Sequence, residues 1–113
     1  VKRAAPSVRQ DTEVDMRRIV ESLQVFFNKW TVEVIVALWQ ADELRFNELK
    51  DQLAGISGRT LSQRLKELEE RGLVDRTVHH ERPVRIEYAL TTKGQDVAKL
   101  ALPLVLYLAG SSP

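Results

Sequence analysis

Arg59, Gln63 and Lys66 fall on one side of a helical wheel, with Ser57, Thr60 and Ser62 beside them, in the segment GISGRTLSQRLKELEERGLV at residues 55–74. A guanidinium offers two donors that match guanine, and a carboxamide both gives and accepts toward adenine. Hydroxyls and an ammonium hold phosphates or meet base edges. At ~100° per residue the opposite side carries Leu61, Leu65 and Leu68, a narrow apolar stripe. Charge is also sorted lengthwise: residues 57–66 hold three cations and no acid, and residues 67–70 hold three acids and no cation. A helix that is basic at its start and acidic at its end is suited to pointing its N-terminus at a polyanion. Residues 57–70 are therefore a candidate DNA-recognition helix. Arg64 lies nearer the apolar stripe, where a phosphate or inter-helix role is expected. The plain alternative, a solvated face with ordinary (i, i+4) charge pairs, has to be judged from the surrounding elements.

A second polar group is His79, His80, Glu81, Arg82 and Pro83, followed by Arg85. Arg82 in a flanking minor groove, with His80 and Arg85 on phosphates, would make this a DNA-contacting wing. His79 joins them as a titratable neighbour, and protonation of the pair would add positive charge near about pH 6. A polar hairpin turn without function is the competing reading. A metal site is not expected, because adjacent residues of a strand point to opposite faces and no cysteine or carboxylate cluster completes a ligand set. No nucleotide-binding glycine pattern, nucleophile elbow or metal-protease helix occurs, so neither a cofactor nor catalysis is expected.

The elements that must position these residues can be read from periodicity. Residues 1–12 read as a flexible basic tail, residues 13–109 as the domain, and residues 110–113 as a C-terminal tail. Thr12 with Asp15 signals the start of a first helix, residues 13–28, on which Met16, Ile19, Val20, Leu23, Phe26 and Phe27 keep helical spacing. Thr31 starts a second helix through Gln40, although its β-branched residues also suit a strand. Arg45–Phe46 is long enough only for an isolated strand. Asn47 is expected to cap a third helix over residues 48–53, and Ser57 the fourth, which ends at Gly72. Alternation around Val74, Arg76 and Val78, and again around Ile86, Tyr88 and Leu90, gives two strands about the turn 80–83. Thr92 with Gln95 forms a capping box for the last helix, residues 93–109, with Thr91 as the competing cap. Pro103 should kink that helix or mark its end. The expected fold is mainly α (α+β): a winged helix-turn-helix in the order helix, helix, strand, helix, helix, strand, strand, helix.

Bulk properties set limits on this reading. In 113 residues the net charge is only +1, so attraction to DNA must come from local sorting rather than excess. The absence of cysteine excludes disulfides and thiol chemistry within this sequence. The basic start has no apolar core of a signal peptide, and the apolar run at residues 100–109 is about half the ~20 residues that span a bilayer. No membrane association is expected, and a cytoplasmic location is. On the last helix Val97, Leu100, Ala101, Leu104, Val105 and Leu108, together with Leu102 and Leu106, cover more than one face. That is more apolar surface than one protomer should bury. A homodimer through the first and last helices follows, with Ile19, Leu23, Leu100, Leu104, Val105 and Leu108 at its interface and two recognition helices about 34 Å apart. A core helix closing a monomer is the alternative.

Beyond periodicity, particular runs are informative: Lys29–Trp30–Thr31, Arg45–Phe46–Asn47–Glu48–Leu49, Gly55–Ile56–Ser57, Leu61 to Leu68, Gly72–Leu73–Val74, and Val84 to Thr91 with Gly94. In order and spacing they resemble the HxlR-type branch of MarR-like winged-helix regulators across residues 28–99. The resemblance implies a homodimeric DNA-binding repressor or activator, with repression favoured by analogy, on a pseudo-palindromic site in double-stranded DNA. Many members of that family carry a cysteine shortly before the Lys-Trp pair that senses oxidants or electrophiles. This sequence has none, so that mechanism does not transfer. A small-molecule effector is compatible with the class, without a residue that identifies one. Two rival functions use the same fold: a protein-interaction module in a larger assembly, and a non-specific architectural DNA-binding protein.

Overall fold

Asp15 caps helix α1 (Met16–Phe26), its side chain accepting a hydrogen bond from the Arg17 N–H at 3.0 Å. The computed structural model describes residues 14–110; the tail expected at residues 1–12, and all but Gly110 of the tail expected at residues 110–113, lie outside the described residues. The expected start at residue 13 lies outside them too, and the helix stops at Phe26 rather than at residue 28. After α1 follow α2 (Thr31–Ala41), β1 (Glu43–Arg45), α3 (Phe46–Gln52), α4 (Gly58–Glu70), β2 (Val74–His79), β3 (Arg85–Leu90) and α5 (Thr92–Leu108). No helix among the described residues is long and apolar enough to cross a membrane.

The core is built around α2. Thr31, Val34, Ile35, Ala37 and Leu38 are buried, and the β-branched run is helical because its (i, i+3, i+4) face meets apolar residues from α3, α4, the sheet and α5. Leu49, Leu61, Leu65, Leu68, Val74 and Tyr88 close the same cluster. The turn into α2 is sharp: Trp30 takes a left-handed conformation with φ 80°, unusual for a bulky side chain.

The sheet has the order β1-β3-β2, with both pairs antiparallel. The strand is not isolated at Arg45–Phe46. It lies at Glu43–Arg45, where Leu44 pairs with Tyr88 and Arg45 with Glu87. Burying Leu44 opposite Tyr88 gives this short strand a long-range partner that local periodicity does not reveal. Asn47 is not the cap of α3 either. The strand runs directly into the helix at Phe46, and Arg45, still extended at φ −81° and ψ 161°, occupies the cap position. Its N–H donates to the Glu48 carboxylate at 2.8 Å, so the orphan donor is satisfied from within the helix and Asn47 lies exposed in the first turn.

The last helix corrects two further expectations. Its cap is Thr91, not Thr92. The Thr91 hydroxyl accepts from the Gly94 N–H at 3.0 Å and donates to the Gly72 carbonyl at 2.6 Å, while its backbone N–H reaches the Leu73 carbonyl at 3.0 Å. Thr91 thus joins the end of α4 to the start of α5, which Thr92, inside the helix, does not. Pro103 does not end α5, which continues to Leu108. A proline at 103 withholds the N–H that would pair with the Lys99 carbonyl, and both residues lie on exposed surface where water can satisfy that oxygen.

Candidate nucleic-acid interface

Helix α4 is held by its apolar stripe and presents its polar side outward. Leu61, Leu65 and Leu68 are at most 2% exposed, whereas Arg59, Ser62, Gln63 and Lys66 lie in solvent. Among the described residues, none of those four side chains makes a hydrogen bond or ion pair. Ser57 and Thr60 are committed to the helix start. The Ser57 hydroxyl accepts from the Thr60 N–H at 3.0 Å and stands 3.0 Å from the Thr60 hydroxyl, to which it donates. Thr60 keeps its own hydroxyl proton for an outside acceptor.

Arg64 is placed differently. It is half-buried, its Nε donates to the Lys29 carbonyl at 2.8 Å, and its Nη1 lies 3.3 Å from the Glu67 carboxylate. Its guanidinium joins α4 to the turn between α1 and α2 instead of sharing the outward face of Arg59 and Gln63.

The charge order of α4 opposes its own dipole. A helix favours anions near its N-terminus and cations near its C-terminus, by about 0.3–1 kcal/mol for each exposed group. Arg59 stands near the N-terminus, while Glu69 and Glu70 occupy the last turn. The sorting therefore does not serve helix stability. An external polyanion at the N-terminal end reverses the sign of that arrangement, because cations, dipole and free N–H groups then act together on phosphates.

Two further residues were missed by sequence reasoning. A groove of about 690 Å³ runs between α4 and the hairpin, lined by Ser62, Gln63, Lys66, Arg76 and Tyr88, with Glu69 and Glu70 at its acidic end. Arg76 pairs with Tyr88 in the hairpin register, so its side chain shares the sheet face that packs on α4. The alternation of Val74, Arg76 and Val78 was a usable signal, but only the fold shows that this face borders the recognition helix. Lys50 of α3 is the second. Its Cε lies 3.8 Å from where a Cβ would stand on Gly58, the first residue of α4, so it adds a cation beside the helix start.

The expected wing residues divide into two pairs. His79 Nε2 lies 2.8 Å from Glu87, and Arg85 stands 3.3 Å from Glu81 and 3.5 Å from Glu87, so both are engaged within the hairpin. His80 and Arg82 are exposed, and among the described residues neither is in an ion pair. No group of three potential metal ligands occurs among the described residues.

The expected interface residues also lie mostly at the surface. Leu23, Leu100, Leu104 and Leu108 are exposed, while Ile19 and Val105 are half-buried. Met16, Val20, Phe27 and Tyr107 extend the same apolar character. No residue of α1 is buried.

Comparison with known proteins agrees with this architecture. The HxlR-like helix-turn-helix family profile matches residues 25–108. YvaP of Bacillus subtilis, an HTH-type transcriptional regulator, is 41% identical over 83 residues, covering 74% of this chain and 76% of YvaP. A MarR-family transcriptional regulator from Enterococcus faecalis V583 superposes with a TM-score of 0.72 at 33% identity, covering 88% of each chain. An HxlR-family transcriptional factor from Thermoplasma volcanium GSS1 gives 0.71 at 33% identity, covering 77% of each. Fold, exposed recognition face and sequence likeness agree: the chain belongs to the HxlR-like helix-turn-helix family of DNA-binding transcription regulators.

Proposed function

We propose that this chain is a sequence-specific repressor that binds a pseudo-palindromic operator as a homodimer in the cytoplasm and acts by occupancy of DNA, not by catalysis. The observation that carries the reading is the outward face of α4, where Arg59, Gln63 and Lys66 stand in solvent without a protein partner among the described residues. Donors held on a rigid helix and left unspent by the protein are what base edges in a major groove require. Ser57, Thr60 and Ser62 frame them toward phosphates. His80, Arg82 and Arg76 extend the contact to the flanks, with His79 and Arg85 supporting the wing from behind.

Dimerisation through α1 and α5 supplies the second half-site. Leu100 is 80% exposed and Leu108 74%, and an apolar surface of this extent favours coverage by a second copy. Leu104→Glu is expected to give a monomer at micromolar concentration, measured by sedimentation. It should also weaken operator binding by about tenfold or more, since each half-site then binds alone. A wild-type chain that is itself monomeric at that concentration, and that binds DNA with the same affinity, contradicts the dimer.

Selection of bound duplexes from a random pool at physiological salt tests the whole reading. The expected result is a two-fold symmetric motif with half-sites about one helical turn apart, 10–10.5 base pairs. No enrichment refutes sequence-specific binding, and affinity indifferent to salt turns the reading toward a protein partner.

A further inference from the structure

The turn between α1 and α2 is gripped by two residues of the recognition helix. Arg64 Nε donates to the Lys29 carbonyl at 2.8 Å, and Nη1 of the same guanidinium lies 3.3 Å from each oxygen of the Glu67 carboxylate. Glu67 in turn accepts from the Asn28 side-chain amide at 3.5 Å. Residues 64 and 67 are neighbours on the helix surface, so two successive residues of the turn are bound to one patch of α4. The Arg64 side chain is only 17% exposed, and its bond to a backbone carbonyl is charge-assisted. The turn it grips leads into Trp30 at φ 80°, a conformation that a large side chain keeps only where its surroundings impose it.

This grip matters because α1 has little else to fix its direction. Phe26 packs against the core cluster, and Leu23 and Val25 only border a cavity that they share with Leu68 and Val97. The helix is 11 residues long, roughly 16 Å from end to end. A tilt of about 15° at its C-terminal turn would carry the far end by roughly 4 Å, more than the 3.4 Å rise of one base pair.

We propose that Arg64 is a positioning residue, not a DNA contact: with Glu67 and Asn28 it fixes the angle between recognition helix α4 and dimer helix α1, and so sets the half-site spacing that the dimer accepts. The inference rests on the dimeric reading above. It also explains why a cation in the middle of the recognition helix turns away from the polar face.

The absence of cysteine allows a direct test. Glu70→Cys places one nitroxide label on the exposed end of α4 in each copy, and pulsed electron paramagnetic resonance reads the distance between the two recognition helices. The full chain is compared with Arg64→Met and with Asn28→Ala, each without DNA. In parallel, unlabelled proteins bind the selected operator and versions with one base pair added to or removed from the spacer.

The parent should give one narrow distance and lose about tenfold in affinity on a changed spacer, while both variants broaden the distance and lose less than about threefold. Base preference within each half-site and the salt slope should stay as in the parent. Asn28 lies off the outward face of α4, so relaxed spacing in Asn28→Ala cannot come from a lost phosphate contact. It also carries the test if Arg64→Met unfolds. An unchanged narrow distance with the full spacing penalty in the variants overturns the proposal. So does a salt slope reduced by about one in Arg64→Met with spacing preference intact, which would make Arg64 a phosphate ligand. A labelled parent with no inter-label distance refutes the dimer itself, a separate outcome from failure of the clamp.

Discussion

Gly94→Ala is expected to destabilise the domain by about 3 kcal/mol, seen as a fall in Tm of roughly 10–20 °C. Alanine ordinarily favours a helix over glycine by about 1 kcal/mol, so propensity alone predicts the opposite sign. Packing decides. Gly94 is buried in the first turn of α5, and a Cβ there would collide with the carbonyl oxygen of Leu73, with a Leu90 methyl group 3.2 Å away. That carbonyl cannot yield cheaply, because it accepts from the Thr91 N–H while the Thr91 hydroxyl holds the carbonyl of Gly72. Relief would require separating the end of the recognition helix from the start of α5. Gly58→Ala is the internal control. Its Cβ would meet only Lys50 Cε at 3.8 Å and Phe46 Cε2 at 4.0 Å, ordinary contacts, so stability should be unchanged or rise by up to about 1 kcal/mol. Thermal unfolding of the two variants beside the parent checks both signs. Equal effects would remove the packing argument.

Arg59→Ala and Gln63→Ala should each relax discrimination at one base pair of the half-site by about 1–3 kcal/mol, five- to 150-fold in relative affinity. Both side chains are exposed on the face opposite Leu61 and Leu65, so the changes should leave Tm nearly unaltered. Lys66→Ala gives the contrast. Loss of a phosphate contact weakens all sequences about equally and lowers the salt slope by about one. Titrations against the selected operator and single-base variants, at two salt concentrations, separate these patterns. Uniform weakening by Arg59→Ala and Gln63→Ala would favour the architectural, non-specific reading instead.

Local chemistry was legible in the sequence wherever the forces are local. Ser57, the leucine stripe and Gly72, at φ 74° after α4, mark the recognition helix through capping, periodicity and a left-handed C-terminal turn. The hairpin follows from alternation about a polar turn, while its register, with His79 opposite Arg85, comes from the structure. Reading failed where a distant partner decides. Asn47 is a better cap by type than Arg45, yet pairing of Leu44 with Tyr88 carries the strand up to the helix and moves the start. Thr92 satisfies the capping-box pattern, but Thr91 reaches Gly72 and Leu73 as well. Pro103 fits the helix-stop pattern, yet α5 runs on to Leu108, with Lys99 and Pro103 both on exposed surface. On α4, the outward placement of Arg59, Gln63 and Lys66 was readable from the wheel. The withdrawal of Arg64 toward Lys29, and the approach of Arg76 and Lys50, depend on which elements meet in space.

The internal pairing of the wing has a kinetic consequence. With Arg85 between Glu81 and Glu87, and Arg82 beside them at the tip, two cations face two carboxylates and the hairpin looks close to neutral from beyond a Debye length, about 8 Å at physiological ionic strength. In the proposed complex, long-range attraction to a duplex then falls to Arg59 and Lys66 of α4. Those charges govern how fast the protein arrives. On that proposal the wing acts only over the last few ångströms, after the recognition helix has found its groove, and its expected contribution lies in how slowly the protein leaves.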